Sequence, residues 1–405
     1  MKILILTNKI PYPPTDGGAI ATLNLARGLA QNGATVKILA MSTPKHNSSS
    51  TDFPQEILNE LRVEDVFVDT EIKPLNAIKN LLFSKLPYNA ERFISKEFEG
   101  QLTISLDEKF DLVQLEGPYL LPYIETIKKY HKGIISLRAH NVEWEIWQRN
   151  AALQTNPFKR FYFKLISKRL NEFECKLLSQ IDVLVPITRR DELKLRGMGF
   201  EGESLVAPAG FAEASLGNLG IEMENPSVFH IGGLDWLPNR EGILWFLKNC
   251  WPIILKDLPE LKFYIAGRNA PMGFIKFVSA QRNVVFCGEV ADSAKFILSK
   301  SLMVVPLLSG SGMRVKVVEG LARKRAIVST SIGVEGIDLT NGVEVAIADN
   351  PNEFSEKVIQ ILTNQTLYNQ MVTSGFDFVK EKLDNNKITQ NLLDFYRRIA
   401  ANLKS

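Results

Sequence analysis

Two stretches of this 405-residue chain begin with the same order of elements. Near the amino terminus, an apolar run at 3–7 is followed by a glycine-containing loop, apolar residues at helical spacing and a second apolar run at 35–40. After Pro226, an apolar run at 228–231 leads into a glycine turn, a helical pattern at 240–250 and another apolar run at 261–266. Strands that alternate with helices in this way form parallel sheets covered on both faces. The sequence therefore predicts an α/β fold with two Rossmann-like domains.

The length of the chain also predicts two domains, because a single core stops growing at roughly 250 to 300 residues. The segment from Gly210 to Pro226 is rich in small residues and weakly periodic, so we predict a linker there and a boundary near residue 222. The expected domains are 1–222 and 223–385. The final segment, 386–405, repeats apolar residues at helical spacing and must pack against another part of the chain.

Composition excludes several classes of protein. The net charge of +3 is too small to indicate nucleic acid as a partner. Three widely separated cysteines, Cys175, Cys250 and Cys287, predict buried thiols without disulfides. No stretch approaches the roughly 18 apolar residues needed to span a bilayer. We expect a cytoplasmic protein or one held peripherally at the inner face of the plasma membrane.

The most informative stretch is the glycine–serine loop that runs into a helix at 309–320. It follows a predicted strand at 302–306, and ligands bind at the carboxyl ends of strands in open α/β sheets. Arg314 and Lys316 stand in the first helical turn, where cations are unfavourable unless an anion is present. Glu319, one turn later, is placed to accept hydrogen bonds from sugar hydroxyls. The alternative is a surface ion pair between Lys316 and Glu319.

A second glycine loop, Gly17–Gly18, stands between the first strand and its helix. One interpretation is that its backbone N–H groups approach a phosphate at the helix amino terminus. The other is a tight turn that requires positive φ. The sequence lacks a G-x-G-x-x-G motif, which argues against a dinucleotide site.

The loop containing Gly232 and Gly233 leaves a strand and reaches a helix near Asn239 and Arg240. It is either a backbone cradle with a guanidinium for a diphosphate, or a helix cap in which Asn239 satisfies free N–H groups and Arg240 is solvated. Arg268 ends the next strand of the same predicted sheet, where it either shares the phosphate role or closes a surface pair.

His140 follows a strand predicted at 133–137 in the amino-terminal half. A lone histidine is either a structural residue or a catalyst, and its residue type alone leaves both interpretations open. No two histidines have metal-ligand spacing, and no D-x-D motif occurs. We therefore expect neither a bound metal nor a cofactor.

Cations and aromatic residues alternate in the segment 158–170. This pattern suits a helix on an anionic membrane surface. A solvated helix with inward aromatic side chains is the alternative. Residues Lys79 to Arg92 are a candidate for a second surface of the same kind.

Together these residues resemble family 4 of the retaining GT-B glycosyltransferases, from Met1 to about Leu362. The resemblance is carried by five stretches that occur in the expected order. They are His140-Asn141-Val142-Glu143, Gly232 to Asn239, Ala266-Gly267-Arg268-Asn269, Ser309 to Ala322, and Val328 to Gly336, the last typical of a bacterial surface-polysaccharide branch.

The resemblance implies a nucleotide sugar bound by the carboxyl-terminal half and transferred with retention of configuration, without a metal. Glu319 matches the second glutamate of the family's E-x7-E motif, which holds the ribose. The first glutamate is replaced by Ser311, so the backbone of Gly310 and Gly312 is expected to contact the sugar instead. The family's basic pair in the first donor loop is also replaced, by Gly233 at one site and by Asn239 or Arg240 at the other.

By the same resemblance, Arg314, Lys316 and Arg268 stabilise the leaving diphosphate, and His140 contacts the donor sugar in an interdomain cleft. Gly17–Gly18 lies beside the diphosphate and acceptor, and the last helix crosses back to the amino-terminal domain. The expected activity is extension of a surface polysaccharide or lipid-linked glycan. The alternatives are an epimerase or phosphorylase of the same fold, and a catalytically silent binding subunit, which Ser311 keeps open.

Overall fold

The chain forms two compact units in a computed structural model that describes residues 1–14, 16–44, 48–212, 220–310 and 312–402. The N-terminal unit comprises Met1–Gly210, Ser311–Met313 and Asn385–Ser405, and the C-terminal unit comprises Phe211–Gly310 and Arg314–Asp384. The domain boundary near residue 222 stays a prediction, because residues 213–219 of the predicted linker lie outside the described residues. The linker was predicted too long, since residues 224–226 already belong to a strand.

The N-terminal unit is built on a parallel sheet in the order β3-β2-β1-β4-β5-β6-β7. Its strands are β1 (Lys2–Thr7), β2 (Thr35–Ser42), β3 (Arg62–Phe67), β4 (Leu112–Glu116), β5 (Ile134–Ala139), β6 (Val183–Pro186) and β7 (Glu203–Ser204). Among its described residues, the α-helices before the last one are α1 (Gly17–Gln31), α2 (Gln55–Glu60), α3 (Pro74–Phe83), α4 (Tyr88–Glu91), α5 (Lys96–Leu106), α6 (Ile124–Tyr130), α7 (Glu143–Leu153), α8 (Pro157–Leu178) and α9 (Arg189–Gly197).

The central strands of this sheet are buried on both faces, as their continuous apolar runs predict. In β1, Ile3 and Ile5 contribute to one core, whereas Leu4 and Leu6 contribute to the core on the opposite face. This division follows from the alternation of side chains along a strand. A sheet covered on both faces leaves the carboxyl ends of its strands as the place for polar chemistry.

The C-terminal unit repeats this plan with the strand order β10-β9-β8-β11-β12-β13, again all parallel. The strands are β8 (Glu224–Ile231), β9 (Phe263–Ala266), β10 (Val284–Gly288), β11 (Lys300–Val305), β12 (Ala326–Ser329) and β13 (Ala346–Ile347). The helices are α10 (Leu237–Trp245), α11 (Trp251–Asp257), α12 (Met272–Ser279), α13 (Ser293–Leu298), α14 (Val315–Ala322), α15 (Pro351–Thr363) and α16 (Gln365–Lys382). A π-helical turn, Phe246–Cys250, joins α10 to α11, so the helix predicted at 240–250 is two helical segments.

The last helix, α17 (Asn385–Asn402), packs against α1 of the N-terminal unit. The two helices approach closely at Gly28, where an added Cβ would lie 2.6 Å from Thr389 Oγ1. Farther along α17, Tyr396 is fully buried, and its hydroxyl donates to Gln114 Oε1 at 2.6 Å. The apolar periodicity of this segment is therefore explained by its burial.

In both sheets the strand order reverses direction next to the first strand of the unit. The reversal lies between β1 and β4 in the N-terminal unit and between β8 and β11 in the C-terminal unit. Ligands of open α/β sheets bind outside the carboxyl ends of the strands at such a switch point. Among the described residues, no helix is long and apolar enough to span a membrane.

Candidate functional site

At the switch point of the C-terminal unit, His230, Gly232 and Asn239 form a socket that holds the side chain of Lys316. Lys316 stands in the first turn of α14, and its Nζ donates to Asn239 Oδ1 at 2.7 Å and lies 3.2 Å from His230 Nε2. A Cβ at Gly232 would come within 2.7 Å of the same Nζ. The position after β8 must therefore be glycine for the ammonium group to lie against the backbone.

His230 fixes the direction of that ammonium group. The imidazole is fully buried, and its Nδ1 lies 2.9 Å from the carbonyl oxygen of Val304. Because a carbonyl only accepts, Nδ1 carries the proton and Nε2 accepts from Lys316. Burial, and then the charge of Lys316, hold the pKa of His230 well below its ordinary value. A neutral imidazole thus positions a cation without adding charge.

The second cation, Arg314, immediately precedes α14. Its side chain is only 5% exposed, and its guanidinium carbon lies 5.5 Å from the ring centroid of Trp236. Gly310, with φ +133°, leaves room for the guanidinium, which an added Cβ would contact. Burial, and then the charge of Arg314, lower the pKa of Lys316 to about 7. The structure therefore brings both predicted cations to the amino terminus of one helix.

The predicted alternative for Lys316, a surface pair with Glu319, is wrong. Lys316 instead contacts His230 and Asn239, while Glu319 lies 3.6 Å from Arg323, one turn farther along α14. Burial raises the pKa of Glu319, and Arg323 opposes that rise. Glu319 is therefore a partly buried carboxyl group at the same helix.

The loop after β8 also differs from the helix cap offered as an alternative. Asn239 lies within α10, where its side-chain amide donates to Gly233 O at 2.8 Å and so joins the loop to Lys316. Arg240 is not merely solvated, because its Nη1 donates to Leu234 O at 2.7 Å and braces the turn. Arg268 follows β9 with a half-buried side chain, and its carbonyl accepts from Leu234 N at 2.9 Å.

In the N-terminal unit, His140 is held by a carboxylate that sequence reasoning missed. Glu116 ends β4 at the switch point, and its Oε2 lies 2.7 Å from His140 Nε2 and 2.8 Å from Thr22 Oγ1. Burial raises the pKa of Glu116, but Arg138 and then the His140 hydrogen bond outweigh it and lower the pKa to about 2. The ionised carboxylate accepts from Nε2 and fixes the orientation of the imidazole.

Glu143, the last residue of the motif that begins at His140, is held by contacts with other residues of the N-terminal unit. Its carboxyl accepts from Tyr119 Oη at 2.9 Å, and burial raises its pKa. Glu174 of α8 accepts the backbone N–H groups of Glu143 and Trp144 at 3.0 and 2.9 Å, and so caps α7. This explains why a buried acid follows His140 in the sequence.

Gly17 and Gly18 are the first two residues of α1, and neither has positive φ, so the tight-turn alternative is wrong. Asp16 caps the helix by accepting from Ala19 N at 2.9 Å, and it also pairs with Lys9 Nζ at 2.5 Å. A Cβ at Gly18 would lie 3.0 Å from that Nζ. A role for the two glycines in phosphate binding stays a prediction.

Two predicted residues belong to the loop between β11 and α14. Ser311 lies outside the described residues. Gly312 groups with the N-terminal unit, where an added Cβ would lie 2.7 Å from the carbonyl oxygen of His140, and its φ is +74°. Within the described ranges, no three His, Cys, Asp or Glu side chains are placed to hold a metal ion.

The C-terminal cluster has the chemistry of an anion site. Two cations at the positive end of a helix dipole repel one another and the dipole, and both are partly removed from water. A dianionic group such as a diphosphate relieves that repulsion and accepts hydrogen bonds from the ammonium, the guanidinium and nearby backbone N–H groups.

These features define a protein of the GT-B fold class, with a Rossmann-like parallel sheet in each unit and two cations beside glycines at the switch point of the C-terminal unit. Residues 225–364 match the family model described as "Glycosyl transferases group 1". The match falls on the half of the chain that contains the Lys316 socket.

Three relatives illustrate the similarity. A protein of Klebsiella pneumoniae, named as an uncharacterized 44.6 kDa protein in the cps region, is 22% identical over 96% of this chain and 98% of its own length. Sucrose-phosphate synthase of Thermosynechococcus elongatus superposes with a TM-score of 0.71 at 15% identity, covering 99% of this chain and 100% of that one. HepE of Anabaena, solved with UDP-glucose, gives a TM-score of 0.66 at 13% identity, covering 98% and 100%.

Proposed function

We propose that this protein is a glycosyltransferase that moves a sugar from a nucleotide-sugar donor to a glycan or lipid-linked acceptor. The observation that carries the proposal is the pairing of Lys316 and Arg314 at the start of α14, beside the backbone of Gly232 and Gly310. The family match over 225–364 covers the same elements. A structure of the same fold, HepE, holds UDP-glucose, which has the diphosphate that this cluster suits.

In the proposed reaction, the bond between the anomeric carbon and the diphosphate oxygen breaks, the acceptor hydroxyl oxygen bonds to that carbon, and the hydroxyl proton passes to the leaving diphosphate. Negative charge accumulates on the leaving nucleoside diphosphate, where Lys316 and Arg314 stabilise it. Glu319 accepts hydrogen bonds from the ribose, and Arg268 and the glycines at 232, 233, 310 and 312 supply further contacts. We further propose that no bound metal is required, because these cations serve the leaving group.

His140 is proposed to contact the transferred sugar, with Glu116 as its positioning residue. The ionised Glu116 accepts from Nε2 and keeps the imidazole in one orientation. Gly17 and Gly18 are proposed to lie beside the diphosphate and the acceptor. Retention of configuration is part of the proposal and rests on the family resemblance.

The proposed setting is surface-polysaccharide synthesis at the inner face of the plasma membrane. The relative encoded in a cps region supports the pathway class, since it aligns with nearly the whole chain. A lipid-linked acceptor would be presented at the membrane surface, which fits a peripheral enzyme better than one confined to bulk solution.

The test is an incubation of the full chain with UDP-, GDP-, ADP- or CMP-sugars and a mixed acceptor extract. We expect release of the nucleotide together with a lengthened glycan, in the presence of a chelator. Lys316→Met should abolish the release, whereas Lys295→Met, which removes an exposed lysine of the same unit, should leave it unchanged. Binding of the donor without turnover would contradict the proposal and favour a silent subunit, and conversion of the free nucleotide sugar would favour an epimerase.

A further inference from the structure

The N-terminal unit exposes an apolar face on two neighbouring helices, which we call the α3/α8 face. It consists of Leu75, Leu82 and Phe83 of α3 and Phe158 and Phe161 of α8. These side chains are 81%, 67%, 82%, 85% and 71% exposed, respectively. Single exposed apolar residues are ordinary, but five such side chains on two helices in contact indicate an interaction site.

On α3, two leucines and a lysine lie on one exposed side of the helix. Leu75, Lys79 and Leu82 follow at i, i+4 and i+7, so they share one helical face, and all three are exposed. Asn80 is buried, and its side chain donates to Leu86 O at 3.0 Å and to Glu91 Oε2 at 2.6 Å. The helix is thus attached through a polar residue while its leucines face outward.

On α8 the core contacts come from Ile166, Leu170 and Leu177, which are buried. Phe158 and Phe161 lie on the other side of the helix near its amino terminus. Arg169 of α8 donates to Leu81 O at 2.8 Å, which holds the end of α3 against α8. Both helices belong to one unit and touch at this point.

Cations outnumber acids around this face: Asp69 pairs with Lys73 at 2.7 Å, and Glu71 and Glu91 line one cavity with Phe83. Residues 72–85 contain three lysines and no acidic residue, and residues 157–170 contain five cations, again without an acid. On α8 the spacing of Arg160, Lys164 and Lys168 at i, i+4 and i+8 forms a row beside the aromatic side chains, and all three are exposed. Apolar side chains bordered by cations fit a surface that is anionic outside and apolar beneath.

We propose that the α3/α8 face docks on a bilayer that contains anionic phospholipids. Leu82, Phe83, Phe158 and Phe161 enter the boundary between headgroups and acyl chains, and the lysines and arginines contact headgroup phosphates. A bilayer is favoured over a protein partner because residues 157–170, which contain the two exposed phenylalanines, carry five cations and no acid and so complement a negative surface. This inference goes beyond sugar transfer and does not depend on it.

The test is sedimentation of the full chain with vesicles, using phosphatidylcholine alone or phosphatidylcholine mixed with phosphatidylglycerol. We expect binding to the anionic vesicles, little binding to the neutral ones, and a loss of binding as salt rises. Phe158→Ser combined with Phe161→Ser should lower the partition coefficient by about tenfold or more, and Lys164→Glu combined with Lys168→Glu should lower it similarly. Ile104→Gln is the matched control, since this residue of α5 in the same unit is 63% exposed and lies outside the face.

The substituted side chains are exposed, so the thermal unfolding of each variant should match that of the wild type, and that measurement separates lost docking from misfolding. Equal binding to both vesicle types, or wild-type binding by the double phenylalanine variant, would overturn the proposal. A dimer in vesicle-free solution that the phenylalanine variant abolishes would also overturn it, because a second copy would then be the occupant. Sugar transfer from the donor is measured in a separate assay in detergent-free buffer. Failure of membrane docking and failure of sugar transfer are therefore distinguishable.

Discussion

A single lysine illustrates how this fold prepares a charge for a ligand. Lys316 is held between an amide oxygen and a neutral imidazole nitrogen, and burial with the nearby Arg314 lowers its pKa to about 7. Neither neighbour neutralises it, and the helix dipole adds to its unfavourable electrostatics. The cost of keeping this cation is recovered when an anion binds.

This arrangement predicts how nucleotide affinity depends on pH. In the free protein, Lys316 is protonated below about pH 7, and a bound diphosphate favours the protonated form. Above that pH, binding of the diphosphate is therefore accompanied by uptake of a proton. Affinity for the nucleoside diphosphate should therefore fall as pH rises from 7.5 to 9, by at most about tenfold per pH unit. Calorimetry in buffers of different ionisation enthalpy measures both the affinity and the proton uptake.

The same titration with two variants identifies the group responsible. Lys316→Met should bind more weakly and show no pH dependence over this range, and Lys295→Met should behave as the wild type. His230→Gln keeps an acceptor beside Nζ and should retain more affinity than His230→Leu. An unchanged pH dependence in Lys316→Met would assign the titration to another residue.

Glu116 makes a second prediction at this scale, for stability. Its folded pKa of about 2 lies below the ordinary value of 4.5, so it contributes stability above pH 4.5 that is lost as pH falls toward 2. Glu116→Gln leaves the buried Arg138 without its counter-charge and should cost about 3 kcal/mol at pH 7. Denaturant unfolding should show that this difference shrinks between pH 4.5 and 2. An exposed acid on α6 offers the control Glu125→Gln, and a pH-independent difference would contradict the assignment.

At the scale of elements, the parallel strands and the last helix were the features most readily predicted. The strands at 3–7, 35–40, 228–231 and 302–306 are confirmed, because uninterrupted apolar runs of that length fit buried parallel strands. The helix predicted at 240–250 divides at Phe246, since no glycine or proline marks its π-helical turn. Strand β8 begins before Pro226, at a position where a proline and two polar residues suggest a loop.

The candidate site was predicted in part for equally physical reasons. Glycines and cations at the end of a strand mark a loop beside a helix terminus, so Lys316, Arg314 and Gly232 were identified from spacing. The partners of these residues come from elements far away in the chain. His230 precedes Lys316 by 86 residues, and Glu116 precedes His140 by 24, so only the sheet order brings each pair together. Glu116 is the last residue of β4, the strand next to the switch point. An acidic residue at the end of an apolar run is the sequence signal that would have indicated it.

The attachment of α17 can be tested through one hydroxyl. Tyr396 Oη donates to Gln114 Oε1 at 2.6 Å and lies 3.1 Å from Ser136 Oγ, with all three side chains fully buried. Tyr396→Phe leaves these partners without that hydroxyl and should lower the free energy of unfolding by about 1 to 3 kcal/mol. Chemical denaturation measures the loss, and Tyr130→Phe on the surface of α6 should cost much less. Equal effects of the two changes would mean that α17 is not held by this network.

At the scale of the whole molecule, the two units carry different chemistry on the same plan. The C-terminal unit places cations at its switch point, whereas the N-terminal unit places a histidine–carboxylate pair there. The N-terminal unit also presents the α3/α8 face. The proposed contacts to the donor, the sugar and the membrane thus fall on separate groups of residues, and each can be tested by substitution without changing the others.

The central claim is that the cluster around Lys316 and Arg314 holds the diphosphate of a nucleotide sugar. The most direct measurement is a thermal-unfolding screen of the wild type, Lys316→Met and Arg314→Met against UDP-, GDP-, ADP- and CMP-sugars. We predict that at least one donor stabilises the wild type, by about 2.7 kcal/mol at 100 times its dissociation constant, and stabilises both variants far less. Stabilisation of the variants equal to that of the wild type, or no stabilisation by any donor, would contradict the claim.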